Sequence, residues 1–204
     1  MQMKFSVILP SLLADFPGAA TNRNAKLVRA IESVREQTFE DFELIVIADG
    51  CGVTEYIVKN KFLQLDSRVN LLSVKRKGLW SNAPRNAGLE AAKGEYITYL
   101  DNDDKWGPDH LQIISSHLNG EDWVYSNDHV WNGEEWIERT TDVSQYGRCG
   151  TSNICHAAKL GLRWKEAGYG HDYLFIQQLR KFENFKQITP AQYYVCHING
   201  GYCI

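Results

Sequence analysis

The sequence lacks any strong excess of charge and any long apolar run. Its 22 Lys and Arg residues nearly balance its 25 Asp and Glu residues, for a net charge of −3. No basic field therefore exists that could hold a polyanion through counterion release. The apolar runs are far shorter than the roughly 20 residues needed to span a bilayer. We expect no nucleic-acid partner and at most peripheral contact with a membrane.

Cysteine is also scarce and irregularly placed. The five cysteines form an odd set with no CxxC pair, and no N-terminal segment has a basic region followed by a long apolar core. A structural zinc site usually has two short ligand pairs at fixed spacing, and the pairs Cys155–His156 and Cys196–His197 do not supply them. These absences predict a reducing, cytoplasmic setting without structural zinc.

The residues that are present have an ordinary globular composition, with 44% hydrophobic and 23% charged residues in a chain of 204. That length favours a single domain over residues 1–204. Four short runs rich in β-branched and aromatic residues are typical of strands buried on both faces of a parallel sheet. They are "KFSVIL" (4–9), "FELIVIA" (42–48), "VNLLSV" (69–74) and "EYITYL" (95–100).

Segments with helical spacing separate these strands, and Pro108 suits the first turn of a further helix. Strands that alternate with helices predict an α/β fold, with a mostly parallel central sheet covered by helices on both faces. After residue 120 the pattern changes to a strand at "WVYSND", an Asn-Gly hairpin in "WNGEEW" and a helix over 172–183. We expect these segments to add a small antiparallel extension.

Acidic residues follow two of the predicted strands. Asp49 ends the second strand, and Asp101, Asp103 and Asp104 follow the fourth. Ligands of such sheets bind at the carboxyl ends of the strands. An Asp-x-Asp pair offers hard oxygen ligands to Mg²⁺ or Mn²⁺, which keep positions open for water and substrate phosphates. The alternative is an acidic loop that caps the helix at residue 108.

Four features occur in a fixed order along the chain. They are a strand ending in Pro10-Ser11, "ESVREQTFEDFELIVIADGC", "NAPRNAGLEAAKGEYITYLDNDD" and "GYGHDYLF". This order resembles the family 2 glycosyltransferases with the GT-A fold. The resemblance covers most of the chain through residue 118 and is specific where "PRNAGLEAAKGEYITYLDNDD" runs unbroken, because an Arg-Asn-x-Gly helix there meets the acidic motif at the family's spacing.

The resemblance implies a metal-dependent, inverting transfer of one sugar from a UDP-sugar to a hydroxyl acceptor. The sugar could be glucose, galactose or N-acetylglucosamine, and the acceptor a glycan, a lipid-linked molecule or a small molecule. Residues up to about 118 would bind the nucleotide sugar, and residues 119–204 would supply the acceptor side. The approximate "QLRKF" match to the processive-synthase motif disfavours processive synthesis.

Family positions assign the donor site residue by residue. Asp49 would hydrogen-bond the uracil, although a turn aspartate before Gly50 is an alternative. Pro10, Ser11 and Leu12 would line the nucleotide pocket. Arg85 would lie near the base or diphosphate, where a planar cation suits phosphate oxygens; its alternative is a solvated helix charge.

The acidic motif would bind the metal, Mn²⁺ or Mg²⁺. By the resemblance, Asp101 would reach the ribose or a metal-bound water, Asn102 would contact the donor, and Asp103 would ligate the metal directly. Asp104 would orient the loop. His197 would be a further metal ligand, with a simply packed histidine as its alternative.

The resemblance also implies a catalytic base in "GYGHDYLF". Asp172 would take the proton of the acceptor hydroxyl; the alternative is that it caps a helix over 173–183. Glu166 is the reserve candidate. Ala48 departs from the family pattern, because it replaces the first acid of Asp-Asp-Gly-Ser.

Two other functions stay open. One is a sugar-nucleotide or glycan-binding module without catalysis, which the missing acid at position 48 would suit. The other is nucleotidyl transfer onto a sugar phosphate. That reaction would need a basic, Gly-rich loop after the first strand, whereas "PSLLADFPGAA" contains no Lys or Arg.

Overall fold

The computed structural model describes residues 3–14, 21–77, 80–166, 168, 170–189 and 192–196. Within these residues the chain forms five α-helices and eleven strands. The helices are α1 (Arg23–Arg35), α2 (Gly52–Lys61), α3 (Asn82–Ala91), α4 (His110–His117) and α5 (His171–Leu179). The strands are β1 (Phe5–Ser11), β2 (Phe42–Asp49), β3 (Val69–Val74), β4 (Tyr96–Tyr99), β5 (Lys105–Trp106), β6 (Trp123–Ser126), β7 (Asp128–Trp131), β8 (Trp136–Arg139), β9 (Ile154–Ala157), β10 (Phe185–Ile188) and β11 (Tyr193–Val195).

Seven strands form the main sheet, in the order β10-β6-β9-β4-β1-β2-β3. β9 runs antiparallel to both of its neighbours, β4 and β6. The other four pairings of this sheet are parallel. The predicted α/β fold with a mostly parallel central sheet is therefore confirmed. Strands β6, β9 and β10, from the chain beyond residue 120, extend this same sheet.

Alternate side chains of the central strands pack into two separate cores. In β1, Val7 and Leu9 belong to one core and Ile8 to the other. Helices α1, α2 and α4 contribute apolar residues to the first core, and α3 and α5 border or enter the second. Successive strand residues point to opposite faces, so a sheet covered on both faces requires the unbroken apolar runs seen in the sequence.

The remaining four strands form a smaller sheet, in the order β5-β11-β7-β8. β7 and β8 are an antiparallel hairpin whose turn contains Asn132 and Gly133. Gly133 has a φ of +111°, a backbone conformation that glycine adopts without steric cost. The predicted Asn-Gly hairpin is confirmed. β5 has only two residues, too few for periodicity to predict it.

Two helix boundaries differ from their prediction. α4 begins at His110, so Pro108 precedes the helix; the Pro108 carbonyl accepts a hydrogen bond from Thr38 N at 2.9 Å instead. α5 ends at Leu179 rather than at 183, because the backbone hydrogen bonds of Lys181 N and Phe182 N span three residues instead of four. No helix in the described part of the chain is both long enough and apolar enough to cross a membrane.

Candidate active site

The carboxyl ends of β4, β1 and β2 lie side by side in the main sheet. The parallel register places Ser11 of β1 next to Ala48 of β2. On the other side of β1, Leu100 N donates to Ile8 O at 3.1 Å, directly after β4. These three strands therefore carry Ser11, Asp49 and Asp101 to one edge of the sheet, the edge at which α/β proteins bind their ligands.

Ser11 connects the segments that leave this edge. Its buried Oγ lies 2.9 Å from Oγ1 of Thr54 in α2 and accepts a hydrogen bond from Nδ2 of Asn102 at 3.1 Å. Pro10 precedes Ser11 in β1, and the carbonyl oxygen of Leu12 accepts a hydrogen bond from the guanidinium of Arg23 in α1. The structure thus brings together the predicted donor-site residues Ser11 and Asn102.

Asp49 is almost fully buried at this edge of the sheet. The residue is 6% exposed, and its Oδ1 has no hydrogen-bond partner within the described residues. Burial raises the pKa of Asp49 above the usual carboxyl value, and the positive charge of Arg76 opposes that rise. The adjacent turn is closed by the Gly50 backbone, whose N–H donates to Val74 O at 2.9 Å. A turn role alone does not explain the unpaired Oδ1.

Arg85 is buried in α3 and holds Asp101. The residue is 3% exposed, so the prediction of a solvated helix charge as its alternative role was wrong. Its Nη2 donates to Asp101 Oδ1 at 2.9 Å, and its guanidinium carbon lies 4.8 Å from the ring centre of Trp164. A buried cation needs such a partner, because leaving it uncompensated would be strongly destabilising.

Arg85 also reaches the predicted catalytic base through His171. Its Nη1 lies 2.9 Å from Nε2 of His171, and the same Nε2 lies 3.0 Å from Oδ1 of Asp172. The hydroxyl of Thr151 donates to that carboxylate oxygen as well. A continuous polar network therefore joins Asp101, at the end of β4, to Asp172 in the first turn of α5.

The environment of Asp172 favours its ionised form. Burial raises the pKa of Asp172, but the hydrogen bond with His171 and the charge of Arg85 outweigh burial, and the pKa lies below the usual carboxyl value. Gly170, with φ of +102°, occupies the N-cap of α5. The alternative of Asp172 as the helix cap was wrong, because glycine fills that position. The reserve candidate Glu166 is exposed to solvent.

Asp103 and Asp104 have different surroundings despite their adjacency. Asp104 is 0% exposed; its carboxylate accepts hydrogen bonds from the Tyr193 hydroxyl and, at 2.6 Å, from Cys196 N. The backbone oxygen of Asp103 accepts a hydrogen bond from Arg29 of α1 at 2.5 Å. The contacts of Asp104 tie the acidic loop to β11 and agree with its expected loop-orienting role. The alternative, in which this loop caps α4, is not what the structure shows, because the N-cap of α4 is Asp109.

The predicted metal ligands suit a cation that a substrate helps to hold. Asp101 and Asp103 offer hard carboxylate oxygens, and within the described residues no three or more His, Cys, Asp or Glu side chains gather into a complete metal site. Mg²⁺ is usually bound by one or two carboxylates together with substrate phosphates and water. The two carboxylates fit that mode of binding. His197 lies outside the described residues and stays a predicted ligand.

The structure adds residues that sequence reasoning did not assign. Thr151 and Ser152 lie in a 3-10 turn before β9; Thr151 donates to Asp172, and Ser152 Oγ accepts a hydrogen bond from Asp101 N at 3.2 Å. His171 was recognised only as the neighbour of Asp172. The turn has no periodic pattern and lies where the family resemblance thins, so no sequence feature pointed to it.

Comparison with known proteins also indicates a glycosyltransferase. The model of the family described as "Glycosyl transferase family 2" matches residues 19–148. The glycosyltransferase GlyG of Streptococcus pneumoniae is 36% identical over 83 residues, which are 41% of this chain and 27% of that protein. A GalNAc(5)-diNAcBac-PP-undecaprenol beta-1,3-glucosyltransferase of Campylobacter jejuni is 32% identical over 102 residues, 50% of this chain and 30% of that enzyme.

Among solved structures, S. aureus TarS 1-349 in complex with UDP-GlcNAc superposes with a TM-score of 0.74 at 19% identity. The match covers 98% of this chain and 60% of the TarS chain. At this identity the likeness concerns the fold, which is that of TarS. The chain spans less than a third of the length of the two curated relatives and less than two thirds of this TarS segment.

Proposed function

This chain belongs to glycosyl transferase family 2, and from that premise we propose that it transfers a single sugar, with inversion, from a UDP-sugar to a hydroxyl acceptor. The observation that carries the proposal is the network from Asp101 through Arg85 and His171 to Asp172. It connects the residue expected beside the donor to the residue expected to activate the acceptor. We assign the donor to residues up to about 118 and the acceptor side to the chain beyond.

The donor site is assigned to the edge formed by β1, β2 and β4. The unpaired Oδ1 of buried Asp49 is a strong acceptor for an N–H group of a uracil base. Ser11 and Asn102, joined by a hydrogen bond, border the same edge. TarS, which shares the fold, crystallised with UDP-GlcNAc, and this supports a UDP-sugar here. Glucose, galactose and N-acetylglucosamine all stay candidates for the transferred sugar.

Asp103 and Asp101 are the residues that would hold a divalent cation, Mg²⁺ or Mn²⁺, with His197 as a predicted third ligand. When bound, such a cation supplies charge neutralisation for a departing diphosphate, an effect of several kcal/mol. Arg85 is the protein's own cation at this place. Its guanidinium already pairs with Asp101, so it can orient that carboxylate and offer a planar donor to phosphate oxygens.

Asp172 is assigned as the base. Its lowered pKa keeps the carboxylate ionised near neutral pH, which is the form that accepts a proton from a sugar hydroxyl. Thr151 donates a hydrogen bond to the carboxylate, and Nε2 of His171 lies 3.0 Å from it, where it can donate when it carries a proton. In-line attack by the activated hydroxyl on the anomeric carbon would invert that centre, with UDP leaving on the opposite side.

The test is UDP release from a panel of UDP-sugars, with Mn²⁺ or Mg²⁺ and a set of simple sugar acceptors. We expect turnover of one UDP-sugar, loss of turnover with EDTA, and loss in Asp103→Asn but not in Glu134→Gln, a change on the exposed hairpin turn. Proton NMR of the product gives the anomeric configuration. Unchanged turnover in Asp103→Asn would reject the metal assignment.

Binding of a UDP-sugar without any UDP release, unaffected by Asp172→Asn, would instead favour the non-catalytic binding module. The observation that keeps this candidate is Ala48, which is fully buried in β2 where the family has an acid. Calorimetric titration of UDP and of the UDP-sugars distinguishes the two functions, because it measures binding independently of turnover.

A further inference from the structure

A groove lies between α1 and the small sheet, away from the network that contains Asp172. Its volume is about 560 Å³, within the range of small-molecule sites, about 300–1,000 Å³. It is lined by residues of α1, β5, β8 and β11, with the loop after β5. The residues used below are Arg29, Glu32, Glu36, Lys105, Trp136 and Tyr194.

One wall of the groove continues onto an aromatic face of the small sheet. Strand pairing places Tyr194 between Lys105 and His129, and Trp131 opposite Trp136. Because strand residues two apart point the same way, these side chains share one face. On the opposite face, Tyr193, Val195 and Val130 pack in or against the main core.

The aromatic rings contact one another across three strands and stay partly exposed. The ring of Tyr194 lies 4.9 Å from that of His129, where it stacks, and 5.0 Å from that of Trp136, edge to face. Trp131 meets Trp136 at 5.6 Å. Nζ of Lys105 lies 5.7 Å from both the Trp136 and Tyr194 ring centres. The face is thus a pre-ordered aromatic platform rather than a set of isolated surface rings.

Polar groups of both signs border this platform at the groove. Glu32 of α1 and Glu36, which follows the helix, are exposed acceptors, and Lys105 and Arg29 are donors. Nε and Nη1 of Arg29 are buried without a hydrogen-bond partner in the described part of the chain. Buried donors of this kind are normally paired.

We propose that this groove and its aromatic platform form a saccharide-binding site, separate from the donor site, that takes a short uncharged oligosaccharide. Sugar rings present an apolar C–H face, which packs on aromatic rings, and hydroxyl groups that both donate and accept hydrogen bonds. Carboxylates beside ammonium and guanidinium groups satisfy both hydroxyl roles. A uniformly apolar ligand would leave these charged groups unpaired. The two carboxylates balance the ammonium and guanidinium groups, so the groove has no preference for an ionic ligand.

The site goes beyond the transfer reaction, because it uses none of the residues assigned to donor or base. Arg29 links the groove to the acidic loop, because its Nη2 donates to the carbonyl oxygen of Asp103 at 2.5 Å. A bound oligosaccharide would place its other residues near the acidic loop without taking part in the chemistry.

The test titrates ¹⁵N-tryptophan-labelled protein with chitotetraose and, separately, maltotetraose, with no nucleotide sugar present. We expect the indole resonance of Trp136 to shift and saturate with at least one of them. Saturation-transfer NMR measures the affinity for the oligosaccharide in three variants. This affinity should fall about tenfold or more in Trp136→Ala and in the double variant Glu32→Gln/Glu36→Gln, and it should stay unchanged in Tyr56→Ala. Tyr56 is a matched aromatic control, 69% exposed on α2.

The double glutamine variant changes exposed groups only, so it keeps the test valid if Trp136→Ala unfolds. No shift of Trp136 with either sugar up to about 10 mM would overturn the proposal. So would shifts of Trp136 that follow protein concentration without sugar, since these would identify a second copy of the chain as the occupant. Neither result bears on UDP release, so failure here and failure of the transfer assignment are distinguishable.

Discussion

Nη1 of Arg85 lies 2.9 Å from Nε2 of His171, although the two residues are 86 positions apart in the chain. A guanidinium can only donate, so Nε2 must accept in this contact. The same atom lies 3.0 Å from Asp172 Oδ1, where only a protonated nitrogen would be favourable. His171 can satisfy one neighbour at a time. A donor phosphate that drew Arg85 away would free Nε2 to carry a proton and donate to Asp172.

His171 is therefore predicted to position Asp172 and to set its ionisation. Its hydrogen bond is one of the causes that lower the pKa of Asp172 against burial, so His171→Phe should raise that pKa. We expect kcat to fall about tenfold or more with little change in donor KM, and the acid limb of the kcat–pH profile to move to higher pH. His117→Phe, a histidine of α4 outside the network, is the control. An unmoved acid limb would show that His171 has only a structural role.

Asp104 is predicted to be a stability residue. Replacing it by Ala leaves the hydroxyl of Tyr193 and the N–H of Cys196 buried without their acceptor, which should cost about 3 kcal/mol. Tyr193→Phe, which removes one donor, should cost less, and the two changes should not be additive. Urea unfolding followed by circular dichroism measures both. If Asp104→Ala were no more destabilising than Glu134→Ala on the exposed hairpin turn, the carboxylate would not be the anchor of the acidic loop.

Gly88 is predicted to be required by close packing of α3 on the main sheet. A Cβ at this position would lie 2.8 Å from Cγ2 of Ile8 and 3.1 Å from Cδ1 of Ile47. Gly88→Ala should therefore destabilise the protein by about 2 kcal/mol, despite the higher helix propensity of alanine. Gly52→Ala is the matched control, because a Cβ there meets no atom within 4 Å. Chemical denaturation of the two variants gives the comparison, and equal stabilities would contradict the packing argument.

The central strands of the main sheet could be predicted because each is a short, uninterrupted apolar run in the sequence. Val7, Ile8 and Leu9 are apolar without interruption, as both faces of β1 are buried. β9 could not be predicted in the same way. Its residues Ile154 to Ala157 are few, and their antiparallel position between β4 and β6 depends on pairings with distant segments.

The candidate site was predictable in its parts but not in its connections. The strand-end positions of Asp49 and Asp101 followed from the pattern of the strands. The contact of Arg85 with His171 could not be predicted from that pattern, because it depends on how α3 and α5 pack on the same face of the main sheet. The cytoplasmic setting, the single-domain organisation and the roles of the site residues stay predictions.

Asp49 is predicted to lower the stability of the fold at neutral pH and to strengthen UDP binding. Its folded-state pKa is raised by burial, so the native state holds the proton more tightly, and stability falls as pH rises from the ordinary carboxyl pKa through the higher folded value. Asp49→Asn removes this buried charge and should stabilise the protein by about 1 kcal/mol at neutral pH, but not in acid below both pKa values.

Asp49→Asn should also weaken UDP binding by about tenfold, because a charged acceptor is lost. Thermal unfolding across pH and calorimetric titration with UDP measure the two effects, with Glu134→Gln on the exposed hairpin turn as the control. A variant that lost stability at neutral pH while keeping its UDP affinity would place Asp49 in the turn alone.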